Sequence, residues 1–198
     1  MSFVKDYLHE AKQLIDQLDI LSIEEIVAIC LQTKEKRGRL FILGVGGSAA
    51  TAAHFVNDIR KIACIEAYAP TDSVAELTAR TNDEGWASVF SEWLKTSQIR
   101  TNDAVFIFSV GGGDIDNNIS PNIVSAIDLA QKRGAKICGV VGRDGGYTAK
   151  MADACLVIPT VEPSRITPHV ESFHSVIAHL IVSHPSLRQT QTKWESVK

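Results

Sequence analysis

Four short apolar runs constrain this chain more than any other feature: residues 40–43, 104–108, 136–141 and 154–158. Apart from the leading Lys136, none carries a charged residue. A strand that is apolar throughout has both faces covered. Between and after the runs lie segments of helical spacing, at about 48–61, 85–99, 119–133, 145–152 and 168–183. Apolar strands alternating with helices predict a parallel sheet. Right-handed crossovers make it doubly wound. Residues 63–67 read as a weaker fifth strand. The expected fold class is therefore α/β, a doubly wound five-stranded parallel sheet with helices on both faces.

Two helices lead the chain. Residues 2–19 place Phe3, Val4, Tyr7, Leu8, Ala11, Leu14, Ile15 and Leu18 at helical spacing. Ser22 is expected to cap the second helix, with Glu25 completing a capping box and Gly38 ending it. At 198 residues the chain fits one domain. The expected division is N-terminal helices over 1–37, sheet and covering helices over 38–184, and a polar tail over 185–198 in which Trp194 is suited to docking. A formal charge of -3 gives no basic excess for nucleic acid. No apolar stretch reaches the roughly 20 residues that span a bilayer. The N-terminus also lacks the apolar core of a signal peptide, so a cytoplasmic location is expected. Cys30, Cys64, Cys138 and Cys155 form no CxxC pair and sit in apolar surroundings, which predicts buried free thiols.

Ligands of open α/β sheets bind beyond the carboxyl ends of the strands. Three glycine-rich loops fall there: Gly44-Val45-Gly46-Gly47-Ser48, Ser109-Val110-Gly111-Gly112-Gly113-Asp114 and Gly142-Arg143-Asp144-Gly145-Gly146. Glycine permits close backbone approach, and amides opening the next helix can face an anion. Gly46, Gly47, Ser48, Ser109, Gly111, Gly112 and Gly113 are the candidate anion contacts, with Ser48 expected to cap its helix. The first loop is neither a dinucleotide fingerprint, since Ala49 stands where the third glycine belongs, nor a P-loop.

The helix after the first loop carries His54 and Asp58, four residues apart and on one face. The last helix carries Glu171, His174 and His179. Glu171 and His179 lie about 80° apart around its axis and can share a broad face, whereas His174 turns away. Two imidazoles and two carboxylates are ligands that zinc accepts. Isolated structural histidines would give the same residues without a metal.

Taken in order, GVGGSAATAAHF, SVGGGD, GRDGG and VESFHSVIAH resemble the motifs of sugar isomerase (SIS) domains, and among them the phosphoheptose (sedoheptulose-7-phosphate) isomerases. Thr81-Asn82-Asp83-Glu84-Gly85-Trp86, followed by Val89-Phe90-Ser91, is similar as well. The resemblance covers nearly the whole chain. It implies a SIS fold, aldose–ketose isomerisation of a sugar phosphate, and a homotetramer with sites between subunits. It further implies a zinc or other divalent ion in each subunit, held by His54, Asp58, Glu171 and His179. Asp58 or Glu171 would act as base, with His179 exchanging the proton, and Asp83 would join the substrate contacts.

The chain departs from the family's pattern at several places. Val45 replaces the asparagine of GNGGS, and SVGGGD replaces STSGNS, with an added stretch at residues 115–119. Asp58 stands for glutamate and Glu171 for glutamine, and a second insertion falls near residues 167–169. Backbone amides of the loop glycines, Ser120, Asn117 or Asn118 could replace the lost hydroxyls. An alternative to the enzyme is a non-catalytic SIS module that senses a sugar phosphate or binds a protein partner. A further alternative is the same isomerase chemistry on a changed substrate. Asp72, Asp83 and Arg143 stay open as ligand contacts, with loop or helix-cap roles the alternative for the two aspartates.

Overall fold

The structure, a computed structural model, describes residues 2–197 without the side chain of Trp194. The expected docking of Trp194 lies outside the described residues. Five strands form one parallel sheet in the order β2-β1-β3-β4-β5. They are β1 (Arg39–Leu43), β2 (Glu66–Tyr68), β3 (Ala104–Ser109), β4 (Lys136–Val141) and β5 (Ala154–Val157). The four apolar runs are strands to within one residue at either end. The fifth begins three residues later than expected, because Cys64 takes a left-handed backbone (φ 55°) that interrupts the run. Cys64 is also exposed, against expectation, whereas Cys30 and Cys138 are buried and Cys155 half-buried; all four are free.

Nine α-helices are described: α1 (Phe3–Gln17), α2 (Ile20–Glu35), α3 (Gly47–Lys61), α4 (Val74–Asp83), α5 (Val89–Thr96), α6 (Pro121–Lys132), α7 (Gly146–Met151), α8 (Ile166–Ser183) and α9 (Lys193–Ser196). The expected helix over 85–99 is shorter, α5 alone, and an unexpected helix, α4, precedes it. A capping contact from Glu76 N–H to Ser73 Oγ starts α4, and Gly85, at φ 87°, follows its end. Asp19, rather than Ser22, caps α2: its carboxylate accepts from Leu21 N–H at 3.0 Å and from the Ser22 hydroxyl at 2.7 Å. Ser22 therefore sits inside the first turn.

Alternating strand residues feed two cores. Leu40, Ile42, Phe106, Phe108 and Val140 face α2, α3 and α8. Phe41, Leu43, Val105, Ile107 and Ile137 face α5 and α6. A fully buried side chain of this size contributes about 1.5–3 kcal/mol by leaving water, so the strands hold helices to both faces. Because α3 covers one face and α6 the other, the chain reverses direction between β1 and β3. A crevice opens at the carboxyl ends of strands where such a reversal occurs.

Helix α1 reaches the domain through Leu14 and an ionic cluster. Buried Glu10 accepts from Arg165 Nε at 2.9 Å and lies 2.8 Å from His169 Nε2. The His169 ring stacks on Tyr7, with centroids 4.4 Å apart. The insertion near 167–169 is thus the first turn of α8, anchored to α1. Hydrogen bonds from Arg165, then His169, hold the Glu10 carboxyl down to about 2, from an ordinary 4.5. A carboxyl depressed on folding stabilises the fold above its unfolded value, and that gain is lost as pH falls. Glu10→Gln is expected to lower the thermal midpoint at pH 7. Thermal melts from pH 7 to pH 2 should show the gap to wild type closing between about pH 4.5 and pH 2.

Candidate active site

Helices α3 and α8 lie side by side and run in the same direction, which aligns three pairs of residues. At the start of α3, the Glu171 carboxylate rests against Gly47, so close that a Cβ on Gly47 would fall 2.5 Å from it. One turn on, Ser48 Oγ lies 3.4 Å from His174 Nδ1. Further along, His54 Nε2 lies 3.1 Å from His179 Nε2. Asp58 Oδ2 closes a triangle, 3.2 Å from His54 Nε2 and 3.5 Å from His179 Nε2. Both imidazoles are more than half exposed, while the Asp58 side chain is 10% exposed. Asn57, which the sequence reading missed, donates to Asp58 Oδ1 at 2.9 Å and leaves Oδ2 to face the imidazoles. Its place beside Asp58 was the available signal.

His54, Asp58 and His179 are the group of potential metal ligands found among the described residues. Glu171 is set apart from them, at the helix start. Zinc–ligand distances of about 2.0–2.1 Å in tetrahedral geometry place neighbouring ligand atoms about 3.3–3.4 Å apart. The three observed separations bracket that value, so these residues fit a divalent ion.

Ser48 does not cap α3. Gly46, at φ 61°, occupies the cap position with no side-chain bond. Ser48 is buried beneath it against His174. Burial lowers the His174 imidazole to about 4, so it is neutral at pH 7. The amides of Gly46, Gly47 and Ser48 have no protein partner among the described residues, which leaves this helix start open to an anion.

The other two loops behave differently. Tyr147 N–H donates to Gly113 O at 2.8 Å, and Thr148 N–H donates to Gly112 O at 2.9 Å. The Thr148 hydroxyl also donates to Gly112 O at 2.7 Å. The opening amides of α7 are therefore spent on the β3 loop and face no ligand, contrary to the expectation from GRDGG. Gly112 and Gly113 serve this loop-to-loop docking through their carbonyls. The Gly112 amide donates to Ser109 Oγ at 3.0 Å. The added stretch folds back on itself, with Asp114 and Ile119 exchanging backbone hydrogen bonds at 2.9 Å. Hydrogen bonds from Asn117 lower the Asp114 carboxyl below its ordinary value and keep it inside the insert.

A cavity of about 250 Å³ opens between the carboxyl ends of β1 and β3, lined by Val45, Ser48, Ser109, Gly111, Ser120 and Arg143 among others. A larger one, about 680 Å³, lies across the insert and includes Asp114, Asp116, Asn117, Asp144 and Lys150. Asp83 borders neither cavity; it is exposed at the end of α4, accepting from Asn82 at 2.8 Å. Asp72 is exposed in the turn before α4. Two of the thiols are held protonated: Cys30 and burial raise Cys138, and burial raises Cys155 to about 12.

A parallel sheet whose reversal-point crevice is reached by Ser48, Ser109 and Ser120 stands beside a His–Asp–His triangle. The chain belongs to the SIS domain family, whose model matches residues 6–142. The phosphoheptose isomerase of Sulfurimonas denitrificans is 33% identical over 183 residues, covering 90% of this chain and 86% of its own. Lincomycin biosynthesis protein LmbN of Streptomyces lincolnensis is 30% identical over 195 residues, covering 93% of this chain and 69% of its own. Among solved structures, phosphoheptose isomerase GmhA from Neisseria gonorrhoeae has a TM-score of 0.78 at 25% identity, covering 90% of this chain and 95% of its own. The family and fold read from the motifs are thereby borne out, and phosphoheptose isomerases are relatives by both sequence and structure.

The docking of the β3 loop on α7 sets a stability prediction. Gly112 has φ 71°, and a Cβ there would lie 2.0 Å from the Gly145 carbonyl oxygen. Left-handed strain alone costs about 1–3 kcal/mol, so Gly112→Ala should destabilise the chain by at least that much in denaturant unfolding.

Proposed function

We propose that this chain is a sugar-phosphate isomerase of the phosphoheptose isomerase type, interconverting an aldose and a ketose phosphate through an enediol. The observation that carries this reading is the convergence of His54, Asp58 and His179 further along α3 and α8 from a cavity that Ser48, Ser109 and Ser120 help to line. Ser48 and His54 are six residues apart on α3, an axial rise of about 9 Å. A sugar chain with its phosphate near Ser48 would bring its carbonyl end toward the triangle. A triose phosphate is too short for that span.

Isomerisation transfers a proton between neighbouring carbons, which requires a base, an acid and polarisation of the carbonyl. Asp58, oriented by Asn57 and shielded from water, takes the proton; His179, open and adjacent, handles the proton exchange at the neighbouring oxygen or carbon. Glu171, beside the free amides of α3, is the alternative proton acceptor at the other end of the site. His54, Asp58 and His179 would hold a zinc or similar ion, and Glu171, expected as a fourth ligand, stands away from them against Gly47. Such an ion polarises carbonyl and hydroxyl oxygens. Neutral His174 props the Ser48 hydroxyl toward the cavity.

The same reading includes assembly into a homotetramer. The imidazoles are open to solvent in a single chain, and α1 exposes Phe3, Val4, Leu8 and Ile15. Asp83 would meet a substrate across such a subunit boundary. No described helix is long and apolar enough to cross a membrane, which agrees with the cytoplasmic location proposed for the enzyme.

A coupled assay on C5–C7 ketose phosphates tests the assignment. Asp58→Asn and His179→Ala should each lower kcat by roughly 10²–10⁴-fold, and unchanged turnover in both would contradict it. Metal analysis of protein purified without chelators should find one divalent ion per chain. That ion should be lost in the double variant His54→Ala, His179→Ala. Sugar-phosphate binding without turnover or metal would favour the sensor alternative.

A further inference from the structure

The small cavity contains one charged side chain among its lining residues, Arg143. No ion pair or hydrogen bond engages its guanidinium among the described residues, although both kinds of contact are plentiful elsewhere in the chain. Its backbone position is nevertheless firmly held. Gly142 N–H donates to Val110 O at 3.1 Å, and Gly145 N–H closes the turn onto Gly142 O at 2.9 Å. A Cβ on Gly142 would strike Val170 at 2.3 Å, so this turn is pressed against α8 as well as the β3 loop. Arg143 is the first central residue of that turn and has φ 54°, a conformation that ordinarily takes glycine. A side chain kept at such a position, and left without a partner, points to a ligand.

The placement of the stem agrees. Gly111 has no side chain, and a Cβ built there would lie 3.5 Å from Arg143 Cδ. The aliphatic part of Arg143 therefore lies across the β3 loop, beside Ser109 and Ser120. Those serines are the hydroxyls that remain at the loop, and Ser109 already accepts from the Gly112 amide. A hydroxyl that accepts one bond still has a proton to donate, and the Ser120 side chain makes no hydrogen bond among the described residues. The Gly112 amide is spent on Ser109 Oγ and the Asp114 amide on Ile119 O, which leaves the loop fewer backbone donors. A guanidinium supplies a full charge and a planar fork of donors suited to a phosphate.

We propose that Arg143 binds the phosphate of the substrate in this cavity, with Ser109 and Ser120 as neutral donors. It takes over the grip that the altered β3 loop lost, and Ile119 of the added stretch 115–119 helps to wall the pocket. The assignment deepens the isomerase reading, but its direct test does not depend on turnover. Lys150 supplies the built-in control. Arg143 borders both cavities, whereas Lys150 borders only the larger one, where three aspartates also stand.

Isothermal titration with inorganic phosphate on the full chain reads the site directly. Arg143→Gln should weaken phosphate binding about tenfold or more, the range of a charge-assisted hydrogen bond. Arg143→Lys should recover part of it, and Lys150→Gln should stay within about twofold of wild type. With a sugar phosphate that the wild type turns over, Arg143→Gln should raise KM by a similar factor and leave kcat within a few-fold. The thermal midpoint should not fall, because the side chain is exposed and unpaired. Wild-type phosphate affinity in Arg143→Gln, an equal loss in Lys150→Gln, or no phosphate binding by the wild type overturns the proposal. Phosphate binding that depends on Arg143, in a protein that isomerises no sugar phosphate, would sink the isomerase reading and leave the pocket standing.

Discussion

The same-direction packing of α3 on α8 is the constraint on which the rest of the site depends. Neither helix carries a complete arrangement. Gly47, Ser48, His54 and Asp58 come from one, and Glu171, His174 and His179 from the other. Phe55 and Ile59 of α3, and Ile177 and Ile181 of α8, fix their spacing in the core on that sheet face. Cores of this density resist small shifts, so the polar residues between the helices are placed by apolar neighbours. The absent side chain at Gly47 completes the fit by admitting the Glu171 carboxylate.

The carboxyl edge of the sheet divides its labour. At β1 the free helix start of α3 and the buried Ser48–His174 pair face the crevice. At β3 and β4 the glycines join loop to loop, and the α7 amides satisfy carbonyls that would otherwise be left without partners. Glycine-rich loops at equivalent places in one sheet thus do different work. What decides between ligand contact and internal docking is where the backbone hydrogen bonds go.

Much of the fold could be read from the residues because burial on both faces leaves a plain mark. Residues 104–108 carry no polar side chain, and the strand found there spans nearly the same positions. Residues 63–67 misled because Cys64 adopts a left-handed backbone, a local event that hydrophobicity does not report. The helix at 74–83 buries none of its residues, so periodicity was a poor guide; the Ser73–Glu76 capping pair was the usable sign. Within the site, the four-residue spacing of His54 and Asp58 correctly put them together. Joining them to His179 needed a contact 125 residues distant in sequence, which the family motifs implied and helix geometry alone did not. Glu171 shares a helix face with His179 but stands two turns away, and angular spacing says nothing about height.

The central claim is that this site moves a proton between adjacent carbons of a sugar phosphate. The most direct measurement is proton and carbon NMR of the wild-type chain with C5–C7 ketose phosphates in deuterium oxide. An enediol route passes the substrate's carbon-bound proton to a base that exchanges with solvent. The account predicts an aldose phosphate product with deuterium at the carbon beside the carbonyl, and a matching label at C1 of recovered ketose. Ketose phosphates that remain unconverted and unlabelled over the whole series would contradict it.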